Sequence, residues 1–138
     1  MEEEWKKLEE EVPKLVDLVF YDDYGIEEEE DEGKDTRPAN VKLALALLPI
    51  LKDASSICPM VCSARWGSVT FQWTNRHTLS FITCHLHAES KGCEVDICKY
   101  IIHGNDAFRY FAFTLEDQSN KEKIGETLRI FLKDAGIV

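Results

Sequence analysis

The sequence predicts an α+β fold: a single antiparallel β-meander of four to five strands, flanked by N-terminal helices and one C-terminal helix. Three observations predict it. Between Gly67 and Leu115, apolar and polar residues alternate with the period of two that a half-buried strand requires. Polar or Gly-containing breaks divide that stretch at Asn75-Arg76, at Glu89-Ser90-Lys91-Gly92 and at Gly104-Asn105-Asp106. On both sides of it, apolar residues recur at the spacing of a helix with one buried face.

The N-terminal helical pattern is Trp5, Leu8, Val12, Leu15, Val16 and Val19. Glu2, Glu3 and Glu4 suit the positive end of its dipole. Pro13 falls inside the pattern and is expected to kink or divide the helix, because it removes a donor and crowds the preceding turn. Phe20, Tyr21, Asp22, Asp23 and Tyr24 follow, and then the run Glu27, Glu28, Glu29, Glu30, Asp31, Glu32. Like charges this dense repel one another and resist packing.

A second helix is predicted over 38–53. Pro38 fits its first turn, with Thr36 near the cap. Val41, Leu43, Ala44, Leu45, Leu47 and Leu48 make it apolar nearly all round, which predicts burial on more than one side. Pro49 is expected to end or bend it. Residues 60–66 alternate weakly and read as a short edge strand, where Pro59 at the start is tolerated.

The sheet is predicted over 60–115. A two-residue turn at Asn75-Arg76 sets Val69 opposite Ile82, Phe71 opposite Ser80 and Trp73 opposite Thr78. Across the next hairpin, Cys84 faces Ile97 and Leu86 faces Val95, which gives one coherent apolar face. A three-residue loop at Gly104 puts Phe111, Phe113 and Leu115 on that face. The opposite face then has an apolar half, Leu79, Phe81, Tyr100, Ile102, Phe108 and Tyr110. Its polar half is His85, His87, Glu94 and Asp96. A final helix over 119–135 carries the stripe Ile124, Leu128, Phe131, Leu132 and Ala135. Ser119 and Glu122 read as its capping box, and Gly136 as its stop.

At 138 residues the chain suits one core, so a single domain over 1–138 is expected. Within it, residues 1–36 form an acidic N-terminal segment of helix and loop. No apolar run approaches the roughly 18 residues of a membrane span, and the acidic start does not resemble a signal peptide. A cytoplasmic protein is expected, with its five cysteines reduced.

The order of parts also resembles a known pattern. Phe20-Tyr21-Asp22-Asp23-Tyr24-Gly25 precedes a spacer and an Ala/Leu-rich helix. A strand ending in Trp73 follows, then a hairpin beginning Leu79-Ser80-Phe81-Ile82. Over roughly residues 18 to 115 this is similar to a group of small uncharacterised bacterial and mobile-element proteins with an Asp-x-Tyr-Gly motif. Gln72 stands where that group commonly has an acidic residue. The resemblance implies the architecture and no activity.

Chemistry-bearing clusters are few. His85 and His87 share a strand face, with Asp96 and Glu94 predicted opposite them. This set has the donor types of a zinc site, and equally those of cross-strand charge contacts on a wet face. Cys58, Cys62, Cys93 and Cys98 have looser spacings than a zinc knuckle. No Gly-rich phosphate loop is present. No cofactor is implied, and no enzymatic activity is expected. With an acidic total and no more than two adjacent basic residues, direct nucleic-acid binding is not expected either.

Charge layout is the most informative feature. Residues 1–36 hold 16 Asp or Glu and 4 Lys, a balance of −12, while the other 102 residues balance at +2. A concentrated acidic segment beside aromatic residues suits a basic protein partner. The reading that follows is a small inhibitor of a nuclease, toxin or CRISPR effector, of the immunity-protein, antitoxin or anti-CRISPR type. Its binding residues are Phe20, Tyr21, Asp22, Asp23, Tyr24, Glu27, Glu28, Glu29, Glu30, Asp31 and Glu32. The alternatives are a homodimer formed through the apolar half-face, and a metal-dependent enzyme on the His85 and His87 face.

Overall fold

Three helices and the strands of one sheet meet along a single buried face. The computed structural model describes residues 2–17, 37–63, 68–89, 92–101, 104–113 and 117–137. Helix α1 is Glu2–Glu11 and runs into a 3₁₀ turn, Val12–Asp17; α2 is Arg37–Ala54; α3 is Gln118–Asp134. The strands are β1 (Met60–Ser63), β2 (Val69–Asn75), β3 (Ser80–Glu89), β4 (Gly92–Ile101) and β5 (Gly104–Phe113). They are antiparallel in the order β1-β2-β3-β4-β5, an uncrossed meander.

Local chemistry explains the helix boundaries. The α-helical pattern of α1 stops at Glu11, and Pro13 lies in the 3₁₀ turn that follows, so the proline divides the helix as its missing donor requires. Trp5, Leu8, Val12 and Leu15 are buried along one face of this segment. Pro49 behaves otherwise than as a stop: it lies inside α2, which continues to Ala54. Burial of Leu47, Leu48 and Leu51 around it supports the local defect. Helix α3 begins one residue earlier than expected. Its N-cap is Asp117, whose carboxylate accepts a hydrogen bond from the Ser119 amide at 2.8 Å, in place of a Ser119 cap. Gly136 does end the helix. It takes φ +70°, its amide donates to Lys133 O, and the Ile137 amide donates to Leu132 O.

The period of two holds throughout the described strands. Val69, Phe71, Trp73, Ile82, Cys84, Leu86, Cys93, Val95 and Ile97 are buried and form the core with residues of all three helices. Helix α2 packs on β2 and β3, α3 on β4, and the N-terminal segment on β1. Trp73 satisfies its indole N–H at Ile57 O, 2.9 Å away. Asn40, fully buried at the start of α2, accepts from the Ala88 amide and ties that helix to the end of β3.

Two registers differ from the sequence expectation. Val69 pairs with Leu86, Phe71 with Cys84 and Trp73 with Ile82, because β2 and β3 are joined by a four-residue turn, 76–79. The Asn75 side chain builds that turn. Its Oδ1 accepts from the His77 and Thr78 amides, and its Nδ2 donates to Ala135 O and Gly136 O at the end of α3. The displacement is an even number of residues, so every side chain keeps its face.

At the last hairpin Ile101 pairs with Gly104, so Gly104, Asn105 and Asp106 belong to β5 and the loop has two residues. Phe108 is therefore the register partner of Ile97, and Tyr110 of Val95. An irregularity between Cys93 and Val95 then advances β5, so that Phe113 partners Cys93. The expected three-residue loop is therefore not formed: Phe108 and Tyr110 take core-face register positions, and Phe113 does so past the irregularity. Leu115 lies outside the described residues. Among the described residues, no helix is long and apolar enough to cross a membrane.

Candidate interaction surface on the open face of the sheet

All three helices pack on the face of Phe71 and Trp73, and no described element packs on the other. The residues of that open face follow from the register. They are Met60 and Cys62 on β1; Thr70, Gln72 and Thr74 on β2; Phe81, Thr83, His85 and His87 on β3; Glu94, Asp96, Cys98 and Tyr100 on β4. Each is half-buried or exposed.

Three rows cross it. In the first, Thr74, Phe81 and Tyr100 are successive partners, and the two rings stack with centroids 4.5 Å apart and planes at 22°. In the second, Met60, Gln72, Thr83 and Cys98 line up. In the third, Cys62, Thr70, His85 and Asp96 line up, with Arg109 of β5 at the next register position. Thr70 Oγ1 and His85 Nδ1 share a hydrogen bond of 2.7 Å. Burial holds the His85 pKa below its ordinary value; neighbouring Asp96 opposes this and His87 adds to it. The ring is thus neutral near pH 7 and serves as a hydrogen-bonding group. Tyr100 is pushed up by its hydrogen bond with Cys98, by burial, and by the nearby charge of Cys98 and Asp96.

The proposed partner-binding residues Phe20, Tyr21, Asp22, Asp23, Tyr24, Glu27, Glu28, Glu29, Glu30, Asp31 and Glu32 lie outside the described residues. What precedes them is described. Glu3, Glu4, Glu9, Glu10 and Glu11 are exposed on α1. Glu2 is paired with Lys52 of α2 at 3.0 Å, and this contact, by hydrogen bond and by charge, lowers its pKa.

The candidate metal set does share a face and a register, His85 with Asp96 and His87 with Glu94. Yet among the described residues no three His, Cys, Asp or Glu side chains converge closely enough to hold a metal ion. The thiols are separated by strand parity. Cys93 is buried on the core face, whereas Cys98 is on the open one. Burial raises the pKa of Cys84, Cys58 and Cys62, which argues against an activated thiolate at any of them.

The apolar half-face is smaller than expected. Leu79 lies in the turn, with φ 56°, and is 77% exposed; Phe108 and Tyr110 stand at core-face register positions; Ile102 lies outside the described residues. Phe81 and Tyr100 remain. Thr70, Gln72 and Thr83 were legible only as polar spacers. The register expected from the sequence for the first hairpin sets Thr70 opposite Phe81 and so hides its contact with His85.

No protein-family model, no curated protein and no solved structure matches the chain.

Proposed function

We propose that this protein is a small protein-binding inhibitor that occupies the cationic surface of a basic, nucleic-acid-handling effector. The reading covers a protein of the immunity, antitoxin or anti-CRISPR type. The observation that carries the reading is the charge segregation: −12 over residues 1–36 against +2 over the rest. An effector that handles nucleic acid needs a basic channel for phosphates, and a protein-borne array of carboxylates competes for the same channel. Steering by such a field raises association rates by roughly ten- to a thousandfold at low salt. Phe20, Tyr21 and Tyr24, beside the acidic run in sequence, supply the large apolar contacts that charge alone lacks. The exposed carboxylates of α1 extend the acidic sequence onto a folded element.

The test is capture of partners from a cell lysate at low and at high salt, with the partner identified. A basic nuclease, toxin or CRISPR effector retained at low salt supports the reading. Replacing Glu27, Glu28, Glu29 and Glu30 with Gln then slows association by about tenfold at low salt and flattens its salt dependence. Equal association rates for the two forms would reject it.

A further inference from the structure

The outward face of α2 is complementary to itself. We infer that two copies of the chain associate through it, α2 against α2 and antiparallel, about a two-fold axis. The inference stands apart from the proposed function, which rests on residues 1–36.

Four observations carry it. The first is spacing. Lys42, Ala46, Pro49 and Asp53 are four, three and four residues apart, which sets them in one stripe along about three turns of helix. All four are exposed, and the half-buried Leu45 and Ile50 flank the stripe, one on each side. This alternation of four and three is the spacing of a seam between two packed helices. The seam faces away from the core, because Val41, Ala44, Leu47, Leu48 and Leu51 take the buried positions.

The second is the order of residues along the stripe. With the two-fold axis midway between Leu47 and Leu48, Lys42 stands level with the partner's Asp53, Leu45 with the partner's Ile50, and Ala46 with the partner's Pro49. A cation meets a carboxylate at each end of the seam. Two branched apolar side chains share each layer inside that. At the centre a methyl group meets a proline ring, which lets the helix axes approach closely. A parallel two-fold arrangement would instead set Lys42 against Lys42 and Asp53 against Asp53.

The third is charge. The chain carries −10 overall, yet the stripe is neutral, with one Lys and one Asp. Asp53 bonds Arg129 through Oδ2 at 2.8 Å while its side chain stays 80% exposed, so the carboxylate remains accessible to the partner's Lys42.

The fourth is the ground on either side of the stripe. A groove between α1 and α2 is lined by Trp5, Leu45, Leu48 and Pro49, and another between α2 and α3 by Ala46, Pro49, Ile50 and Gly125. Pro49 is the ridge between them. The two grooves are holes for the partner's Leu45 and Ile50. Their rims carry both signs, Lys6 with Glu9 and Arg129 with Glu126, so no block of like charge is pressed together. A single helix seam with its flanks is at the small end of specific interfaces, so the dimer is weak and forms as concentration rises.

The experiment is sedimentation equilibrium of the full-length protein from micromolar to millimolar concentration at near-physiological salt. A monomer–dimer equilibrium is expected. Ala46→Arg puts a bulky charge in the middle of the stripe at an exposed helical position, and should give a monomer with an unchanged melting temperature. Lys42→Glu should weaken association by roughly tenfold or more, because it sets like charges together at both ends of the seam. Lys42→Glu combined with Asp53→Lys should restore association to within about threefold of wild type. A monomer at every concentration overturns the inference. So does a dimer that Ala46→Arg leaves intact, or a double variant that associates no more tightly than Lys42→Glu alone.

Discussion

At the scale of single residues, the clearest departure from pattern is Lys99. Strand parity places it on the core face, where it is only 8% exposed. Its ammonium is 2.8 Å from Asp134 Oδ2 on α3 and 5.0 Å from the centre of the Phe131 ring. The pair closes the α3 side of the core around a charge whose stem packs as an apolar chain. Asp134→Ala should therefore destabilise the protein by about 1–2 kcal/mol, since it removes an ion-pair partner from a nearly buried cation. Lys99→Met should stay within about 1 kcal/mol of wild type, because it removes charge and desolvation together. Chemical denaturation of the two variants checks both, and equal losses would contradict this account.

His85 gives a pH prediction with a definite sign. Its pKa is lowered in the folded state from the ordinary 6.5, so the unfolded chain binds the proton first. The contribution to stability is fully present above that value. It is lost as pH falls below 6.5 and through the lower folded value. His85→Gln keeps a hydrogen-bonding side chain beside Thr70 and does not titrate. Between about pH 7 and about pH 5, wild type should lose more stability than this variant. Parallel loss in denaturant melts would remove His85 as the cause. Much of this residue-scale detail was out of reach of the sequence: Lys99 reads there as one more charged position in a strand.

At the scale of elements, α2 and α3 pack together beside a groove lined by Ala46, Pro49, Ile50 and Gly125 among others. The Arg129–Asp53 ion pair, 2.8 Å long, spans the two helices beside it. Gly125 is buried mid-helix, and a Cβ there would meet the Arg129 guanidinium at 3.6 Å and Ile50 Cγ2 at 3.8 Å, ordinary contacts. Gly125→Ala should therefore raise stability by about 0.5–1 kcal/mol through helix propensity. Gly136→Ala should do the opposite, by about 1 kcal/mol or more. That position combines φ +70° with a Cβ only 3.0 Å from Asn75 Nδ2. Thermal melts of the pair should move in opposite directions.

The elements themselves were largely readable. The break at Pro13, the short edge strand after Pro59, the faces of β2, β3 and β4 and the stop at Gly136 all rest on local chemistry. The turn lengths were not. Asn75-Arg76 looks like a tight turn until the end of α3 is present to accept hydrogen bonds from Asn75. The two-residue hairpin at Ile101 and Gly104, and the irregularity between Cys93 and Val95 at the far end of the same strand pair, leave no mark in the local pattern.

At the scale of the whole molecule, the division of labour is between a nearly neutral body and an acidic N-terminal quarter. Changing Glu27 to Glu30 to Gln should leave the melting temperature nearly unchanged, because a run of like charges adds repulsion and little cohesion. A large drop in melting temperature would show that these carboxylates hold the fold together, and would count against the binding role proposed for them.

The amino-acid sequence by itself determined the α+β class, the helix and strand periods, the face to which the residues of β2, β3 and β4 belong, and the placement of charge along the chain. These depend on neighbours a few residues apart, which the linear order supplies. Tertiary structure alone decided the hairpin registers, the burial of Lys99, and the contact of Thr70 with His85 on a face that no described element covers. Such features depend on which distant segment fills a given space, and side-chain spacing along one segment carries no record of it.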